Sequence, residues 1–155
     1  MNVLFVCEDN SALSIMAESI LRAEAPARFS AFSAGCRPAQ AVSPYVIEFL
    51  AAHHLPTSGL SPKGVAQFRA PGAAHLDIVI TLSEAAEECC GEWPGKPLVA
   101  HWNIDDAEST HPEEALRDSF WTLKRRIAMF AALPHGKLSR RVLERRMLTL
   151  QAGYL

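Results

Sequence analysis

The sequence predicts a three-layer α/β/α fold with a four-stranded parallel sheet. The prediction depends on short apolar runs and on the helical stretches between them. Short apolar runs alternate along the chain with longer stretches whose apolar residues recur at helical spacing. Strands that alternate with helices favour a parallel, doubly wound sheet. In such a sheet, ligands bind beyond the carboxyl ends of the strands.

The candidate strands are short apolar runs bounded by turn residues, a pattern typical of buried strands. The run that follows Met1 is the first, and the run that begins at Asp77 is the clearest of the others. The second run is closed by Ala34-Gly35. The four ranges are 2–6, 28–33, 77–82 and 98–101.

The candidate helices have an apolar face or a start signal. Ser43-Pro44 and Ser61-Pro62 each combine an N-cap residue with a proline suited to the first helical position. Pro26 and Pro134 mark the ends of the first and the longest helix. We expect helices within 13–25, 43–55, 61–68, 112–133 and 138–150, and a short helix or a turn over 83–90.

Composition bounds the class of protein. The chain has 155 residues, and we expect one domain over 1–155 with 137–155 as a C-terminal helical extension. The net charge of −2 gives no sign of nucleic-acid binding, and no apolar run approaches membrane-spanning length. The cysteines lack the spacing of a disulfide scaffold, which favours a reduced, cytoplasmic protein. They are Cys7, Cys36, Cys89 and Cys90.

Cys7 is the first candidate for chemistry. It follows the first strand and faces the start of the first helix, near Ser14. Free backbone N–H groups and the helix dipole favour negative charge at such a position. The same arrangement that stabilises a thiolate also holds an oxyanion.

The loop after the first strand has a cysteine, an asparagine three residues later and serines at positions 11 and 14. Further on, the chain has Ser33-Ala34-Gly35, the run 77–81, Trp93 to Pro97, His101-Trp102 and Asp105-Asp106. In these motifs the sequence resembles the low-molecular-weight tyrosine phosphatases and their relatives, the thioredoxin-coupled arsenate reductases. The His-Trp pair followed by the acidic pair resembles the arsenate-reductase branch.

The resemblance implies specific roles. Cys7 would be the nucleophile, Asp106 the general acid with Asp105 as a fallback, and Cys90 a resolving thiol. The oxyanion would be arsenate, phosphate or a phosphorylated substrate, and thioredoxin a possible partner. The resemblance implies no cofactor and no metal. The oxyanion-binding loop would comprise Glu8, Asp9, Asn10, Ser11, Ala12, Leu13 and Ser14.

Three departures weaken the implied chemistry. Leu13 stands where these families have the arginine that binds two oxygens of the oxyanion and lowers the cysteine pKa. Glu8 and Asp9 place two carboxylates beside the loop, which repel a dianion and raise the pKa of the thiol. In addition, Ser83 stands where the reductases have their first relay cysteine, although Cys89 or Cys36 could substitute if the geometry allowed it.

Three hypotheses therefore remain open. The chain is a thiolate enzyme acting on a tetrahedral oxyanion, with weak activity. Alternatively, it is a catalytically degenerate protein that keeps the pocket for binding or regulation. The third alternative is a thiol redox protein that uses Cys7 with Cys90 or Cys36. A separate expectation is a homodimer or partner contact through the last helix, which combines an apolar face with several arginines.

Overall fold

The computed structural model describes residues 1–104 and 112–151. Four parallel strands form one sheet in the order β2-β1-β3-β4. This confirms the predicted α/β/α fold with a four-stranded parallel sheet. The strands are β1 (Asn2–Cys7), β2 (Ser30–Gly35), β3 (Ile78–Thr81) and β4 (Leu98–His101).

Helices cover both faces of the sheet, and the side chains of β1, β2 and β3 alternate between two apolar clusters, one on each face. One cluster packs four helices against the sheet, and the other packs two shorter helices on the opposite face. The first group is α1 (Leu13–Glu24), α2 (Pro44–Ala52), α5 (Pro112–Ala132) and α6 (Arg140–Gln151). The second group is α3 (Ala66–Arg69) and α4 (Glu84–Cys90).

Several element boundaries differ from the sequence prediction, and backbone hydrogen bonds explain two of the differences. The second strand begins at Ser30 rather than residue 28, because the N–H groups of Arg28 and Phe29 bond back to the carbonyl of Ala25 in a turn. The helix expected over 61–68 shrinks to Ala66–Arg69. Residues before it instead pair with the end of β2, through a bridge between Gly35 and Gly64.

The expectation that the cysteines are all reduced is wrong for one pair, because Cys36 and Cys89 form a disulfide. These residues lie 53 positions apart in the sequence. The fold brings Cys36, just after β2, close to Cys89 in the last turn of α4. The spacing of the two cysteines in the sequence does not reveal this proximity. No helix in the described part of the chain is both long enough and apolar enough to span a membrane.

Candidate active site

The candidate site lies at the carboxyl end of β1, where the strand order changes direction. Cys7 is the last residue of β1 and lies between the ends of β2 and β3. This is the switch point at which doubly wound sheets bind their ligands. A cavity of about 240 Å³ opens there, and it is lined by Cys7, Glu8, Asp9, Ser11, Ala12, Leu13 and Ser83.

Hydrogen bonds from the loop and α1 hold the Cys7 thiol in place. The Sγ atom lies 2.8 Å from Ser14 Oγ, and the backbone N–H of Asn10 donates to it at 3.2 Å. Asn10 Nδ2 donates to Ser14 Oγ at 2.7 Å. Because the hydroxyl of Ser14 accepts from Asn10, its own proton is available to the sulfur. The side chains of Asn10 and Ser14 therefore lie buried behind the cavity and support the thiol.

The loop backbone is fixed from behind by the segment that follows β2. N–H groups within 36–43 donate to loop carbonyls, including Arg37 N to Glu8 O at 2.8 Å. Asn10 adopts a left-handed conformation with φ of 53°, and its Oδ1 accepts from the backbone of Lys63 at 2.8 Å. Gly35 permits this close approach, since a Cβ on it would lie 2.8 Å from the backbone nitrogen of Asn10. The loop shape is therefore imposed by contacts outside the loop.

Burial dominates the electrostatics of Cys7, which is 4% exposed. Burial raises the pKa of the thiol, the bonds from Ser14 and Asn10 lower it, and the charge of Asp9 raises it further; the net pKa lies above its ordinary value. The neutral thiol is therefore the favoured form, whereas a nucleophilic cysteine requires the thiolate.

Leu13, at the position where the resemblance implies an arginine, belongs to the hydrophobic core. It begins α1, is 9% exposed, and packs with the apolar face of that helix while its edge lines the cavity. None of the described residues that line the cavity is basic, and two of them, Glu8 and Asp9, are acidic. The preceding Ala12 provides no side-chain cap for α1.

The remaining predicted site residues are only partly placed. Ser83 caps α4 by accepting a hydrogen bond from the backbone of Ala86 at 3.2 Å. Cys90 is the last residue of α4, and its side chain is not among those described. Asp105 and Asp106 lie outside the described residues. In the described part of the chain, no group of three or more His, Cys, Asp or Glu side chains is arranged to hold a metal ion.

Sequence reasoning missed a buried polar network behind the loop. Glu18 on α1 is 3% exposed, accepts a hydrogen bond from Ser33 Oγ at 2.6 Å, and forms an ion pair with Arg22. Lys63, whose backbone supports Asn10, places its Nζ 3.8 Å from Glu18. The sequence signal that indicates this network is Glu18, a carboxylate beside the apolar face of a helix. A carboxylate buried there requires polar or charged partners.

The chain matches one protein-family model over most of its length. Residues 2–127 match the family described as low molecular weight phosphotyrosine protein phosphatase. The chain belongs to this family. This confirms the resemblance seen in the motifs around Cys7.

Solved structures of arsenate reductases and of a phosphatase share this fold. A thioredoxin-dependent arsenate reductase of Corynebacterium glutamicum is 26% identical with a TM-score of 0.67, over 84% of this chain and 59% of that one. The arsenate reductase of Archaeoglobus fulgidus is 27% identical with a TM-score of 0.66, over 84% and 99%. The tyrosine phosphatase of T. tengcongensis is 23% identical with a TM-score of 0.69, over 86% and 99%, and shows the fold alone.

This low-molecular-weight phosphatase family member thus spans little more than half the length of the Corynebacterium reductase. A comparison with curated protein sequences finds no match.

Proposed function

We propose that this family member is catalytically degenerate, and that it keeps the cysteine pocket for binding or regulation while turning over phosphate esters or arsenate weakly or not at all. The observation that supports the proposal is the lining of the cavity, which combines Glu8, Asp9 and Leu13 with no basic residue among those described. Such a lining repels a tetrahedral dianion and accepts a group without negative charge.

The state of Cys7 supports the same conclusion. Its pKa is raised, chiefly by burial, so the thiolate is scarce near neutral pH. An active phosphatase offsets burial with an arginine charge at the position that Leu13 occupies. Loss of one preorganised donor to an oxyanion costs on the order of 10²–10³ in rate, or about 3–4 kcal/mol. The remaining bonds from Ser14 and Asn10 position the sulfur but supply no net positive charge.

The enzyme hypothesis is the second candidate, and family membership favours it. It requires Cys7 to attack arsenic or phosphorus, and Asp106 to protonate the leaving group of a phosphate ester. The arsenate-reductase version further needs two relay thiols. Ser83 replaces one of them, and Cys89 is engaged with Cys36. Thioredoxin as a partner and Cys90 as the resolving thiol belong to this candidate.

Activity assays separate the two candidates. Hydrolysis of an aryl phosphate and reduction of arsenate are measured for the unmodified protein, for Cys7→Ser and for Leu13→Arg. We expect the unmodified protein to match Cys7→Ser, and Leu13→Arg to gain turnover. Leu148→Arg is the matched control, because it adds the same charge at an exposed position on α6. Turnover by the unmodified protein that disappears in Cys7→Ser and is at least as fast as that of Leu13→Arg would contradict the proposal.

Anion binding supplies a second test that does not depend on folding of Leu13→Arg. Titration calorimetry with inorganic phosphate is expected to show no binding to the unmodified protein. The double substitution Glu8→Gln and Asp9→Asn removes the repulsion while keeping the side-chain shapes, so any residual affinity of the backbone N–H groups should appear there. Saturable phosphate binding by the unmodified protein would mean that the loop still functions as an oxyanion site.

A further inference from the structure

The Cys36–Cys89 disulfide lies outside the Cys7 cavity, whose described lining includes neither of these cysteines. The Cα atoms of the two cysteines lie 6.2 Å apart, which is within the usual range for a disulfide. Cys36 follows the end of β2, and Cys89 lies in the last turn of α4. The cross-link therefore joins the segment behind the Cys7 loop to a helix on the other side of the site.

The disulfide is accessible to an attacking thiolate. Both cysteines are only partly buried, and they line an open cavity of about 240 Å³ together with Glu8, Arg37, Ala85 and Glu88. Thiol–disulfide exchange requires access to one of the sulfur atoms. Disulfides that are exposed in this way tend to be the labile, regulatory or catalytic ones.

Residues on both sides of the cross-link also connect it to the Cys7 cavity. The N–H of Cys36 donates to the carbonyl oxygen of Cys7 at 3.2 Å. Glu8 lines both cavities and therefore lies between the two sulfur sites. Ser83, which caps α4, lines the Cys7 cavity. The disulfide thus ties down the helix whose N-cap residue, Ser83, lines the Cys7 cavity.

Few apolar contacts hold α4 in place otherwise. Ala86 is the one fully buried side chain among those described in this helix, and Glu84, Glu87 and Glu88 are exposed. A short helix with one buried side chain depends strongly on any covalent tie, because local opening is easy where little apolar surface is buried.

We infer that Cys36–Cys89 is a redox-active disulfide that exchanges with an external dithiol and acts separately from Cys7. One thiolate of the dithiol attacks a protein sulfur and forms a mixed disulfide, and the displaced protein thiolate takes up a proton. The second thiol of the reductant then breaks the mixed disulfide. The protein gains two thiols, and the dithiol is oxidised by two electrons. Reduction frees α4, so the wall of the Cys7 cavity loosens.

The test is a redox titration of the folded protein with dithiothreitol in varying ratios of its reduced and oxidised forms. Samples are quenched with acid and alkylated, and the modified cysteines are mapped by peptide mass. We expect two thiols to appear together, at Cys36 and Cys89, in one reversible transition with unchanged far-UV circular dichroism. Cys7→Ser should leave the transition in place, as should Cys90→Ser, whereas Cys36→Ser should abolish it.

Reduction should also have two structural consequences. Removing a cross-link over 53 residues should lower the melting temperature by roughly 10 °C. Alkylation of Cys7 should become faster in the reduced protein, and equally fast in a variant with both Cys36→Ala and Cys89→Ala. The inference fails if the two thiols appear only in denaturant, or if they map to another pair. The titration of the unmodified protein decides the question even if the double variant does not fold.

Discussion

The two sulfur sites on either side of Glu8 are held in opposite ways. Cys7 is buried as a free thiol, and its position depends on hydrogen bonds from Ser14 and Asn10. Cys36 and Cys89 are partly exposed, and their position depends on a covalent bond. At the buried site the sulfur is positioned by hydrogen bonds, and none of the described residues that line its cavity is basic. The exposed site has the access that sulfur chemistry needs.

The difference shows that positioning and activation are separable. Positioning of Cys7 comes from backbone and side-chain bonds that do not involve residue 13, so it survives the replacement of arginine by Leu13. Activation depends on net charge near the sulfur, and Glu8 and Asp9 supply the wrong sign. Substitutions around Cys7 can break this separation or measure it.

The largest expected effect is on the scaffold behind Cys7. A Cβ on Gly35 would meet the backbone of Asp9 and Asn10 at 2.8 Å, so Gly35→Ala must displace the loop. Overpacking against backbone costs about 1–3 kcal/mol, measured here as the free energy of unfolding in urea. The disulfide, which starts at the next residue, should still form, as counted by free thiols.

Gly64→Ala is the matched control for this substitution. Gly64 forms the bridge to Gly35, but a Cβ there would lie 3.6 Å from Pro38 Cγ, an ordinary contact. Both substitutions reduce the entropy of the unfolded chain equally, so their difference isolates the clash. Equal stability of the two variants would mean that the loop tolerates a shift at Gly35.

The next effect concerns the partner of the thiol. Ser14→Ala removes the hydroxyl that lies against Cys7 Sγ and accepts from Asn10, and it leaves the Asn10 amide without that acceptor. We expect a loss of about 1–2 kcal/mol in unfolding free energy, together with a further rise in the pKa of Cys7. Ser11→Ala is the control, because its hydroxyl makes no hydrogen bond to another described residue. A variant as stable as this control would show that Ser14 does not hold the thiol.

Much of this site was predictable because the rules that place it are local. An apolar run ending in Cys7, followed by a helical face from Leu13, is enough to put the cysteine at a strand end in a parallel sheet. The Cys36–Cys89 bond was not predictable, because it depends on the distance between two elements far apart in the sequence. The same holds for Gly64, whose pairing with Gly35 replaced an expected helical turn. Long-range contacts override a local cap signal such as Ser61-Pro62.

The reactivity of Cys7 tests directly whether its thiol is activated. Because its pKa is raised, the rate of alkylation by iodoacetamide should be low at neutral pH and should rise only above the pKa of an ordinary thiol. Asp9→Asn should shift the profile toward lower pH, since the charge of Asp9 raises the pKa. Glu144→Gln, on the exposed side of α6, is the control. A rate that reaches its plateau near neutral pH would reveal an activated thiolate and would contradict the degenerate function.

The smallest expected effect is on stability at alkaline pH, where Cys7 and Lys63 act in opposite directions. The pKa of Cys7 is raised from 9.0, so the stability gained from its neutral form is present below that pH and is lost as the pH rises. The pKa of Lys63 is lowered from 10.5, mainly by burial, so the cost of its charge is relieved as the pH approaches that value. Between these two values the two contributions have opposite signs and partly cancel.

Single substitutions should uncover each contribution in urea unfolding measured from neutral pH to pH 10.5. The stability advantage of the unmodified protein over Cys7→Ala should shrink above pH 9.0, because the folded state binds a proton there that the unfolded chain has released. Relative to Lys63→Met, the unmodified protein should instead gain stability over the same range. If the difference from Cys7→Ala stayed constant with pH, the thiol would titrate as it does in the unfolded chain. Burial would then not explain the low reactivity that we propose for Cys7.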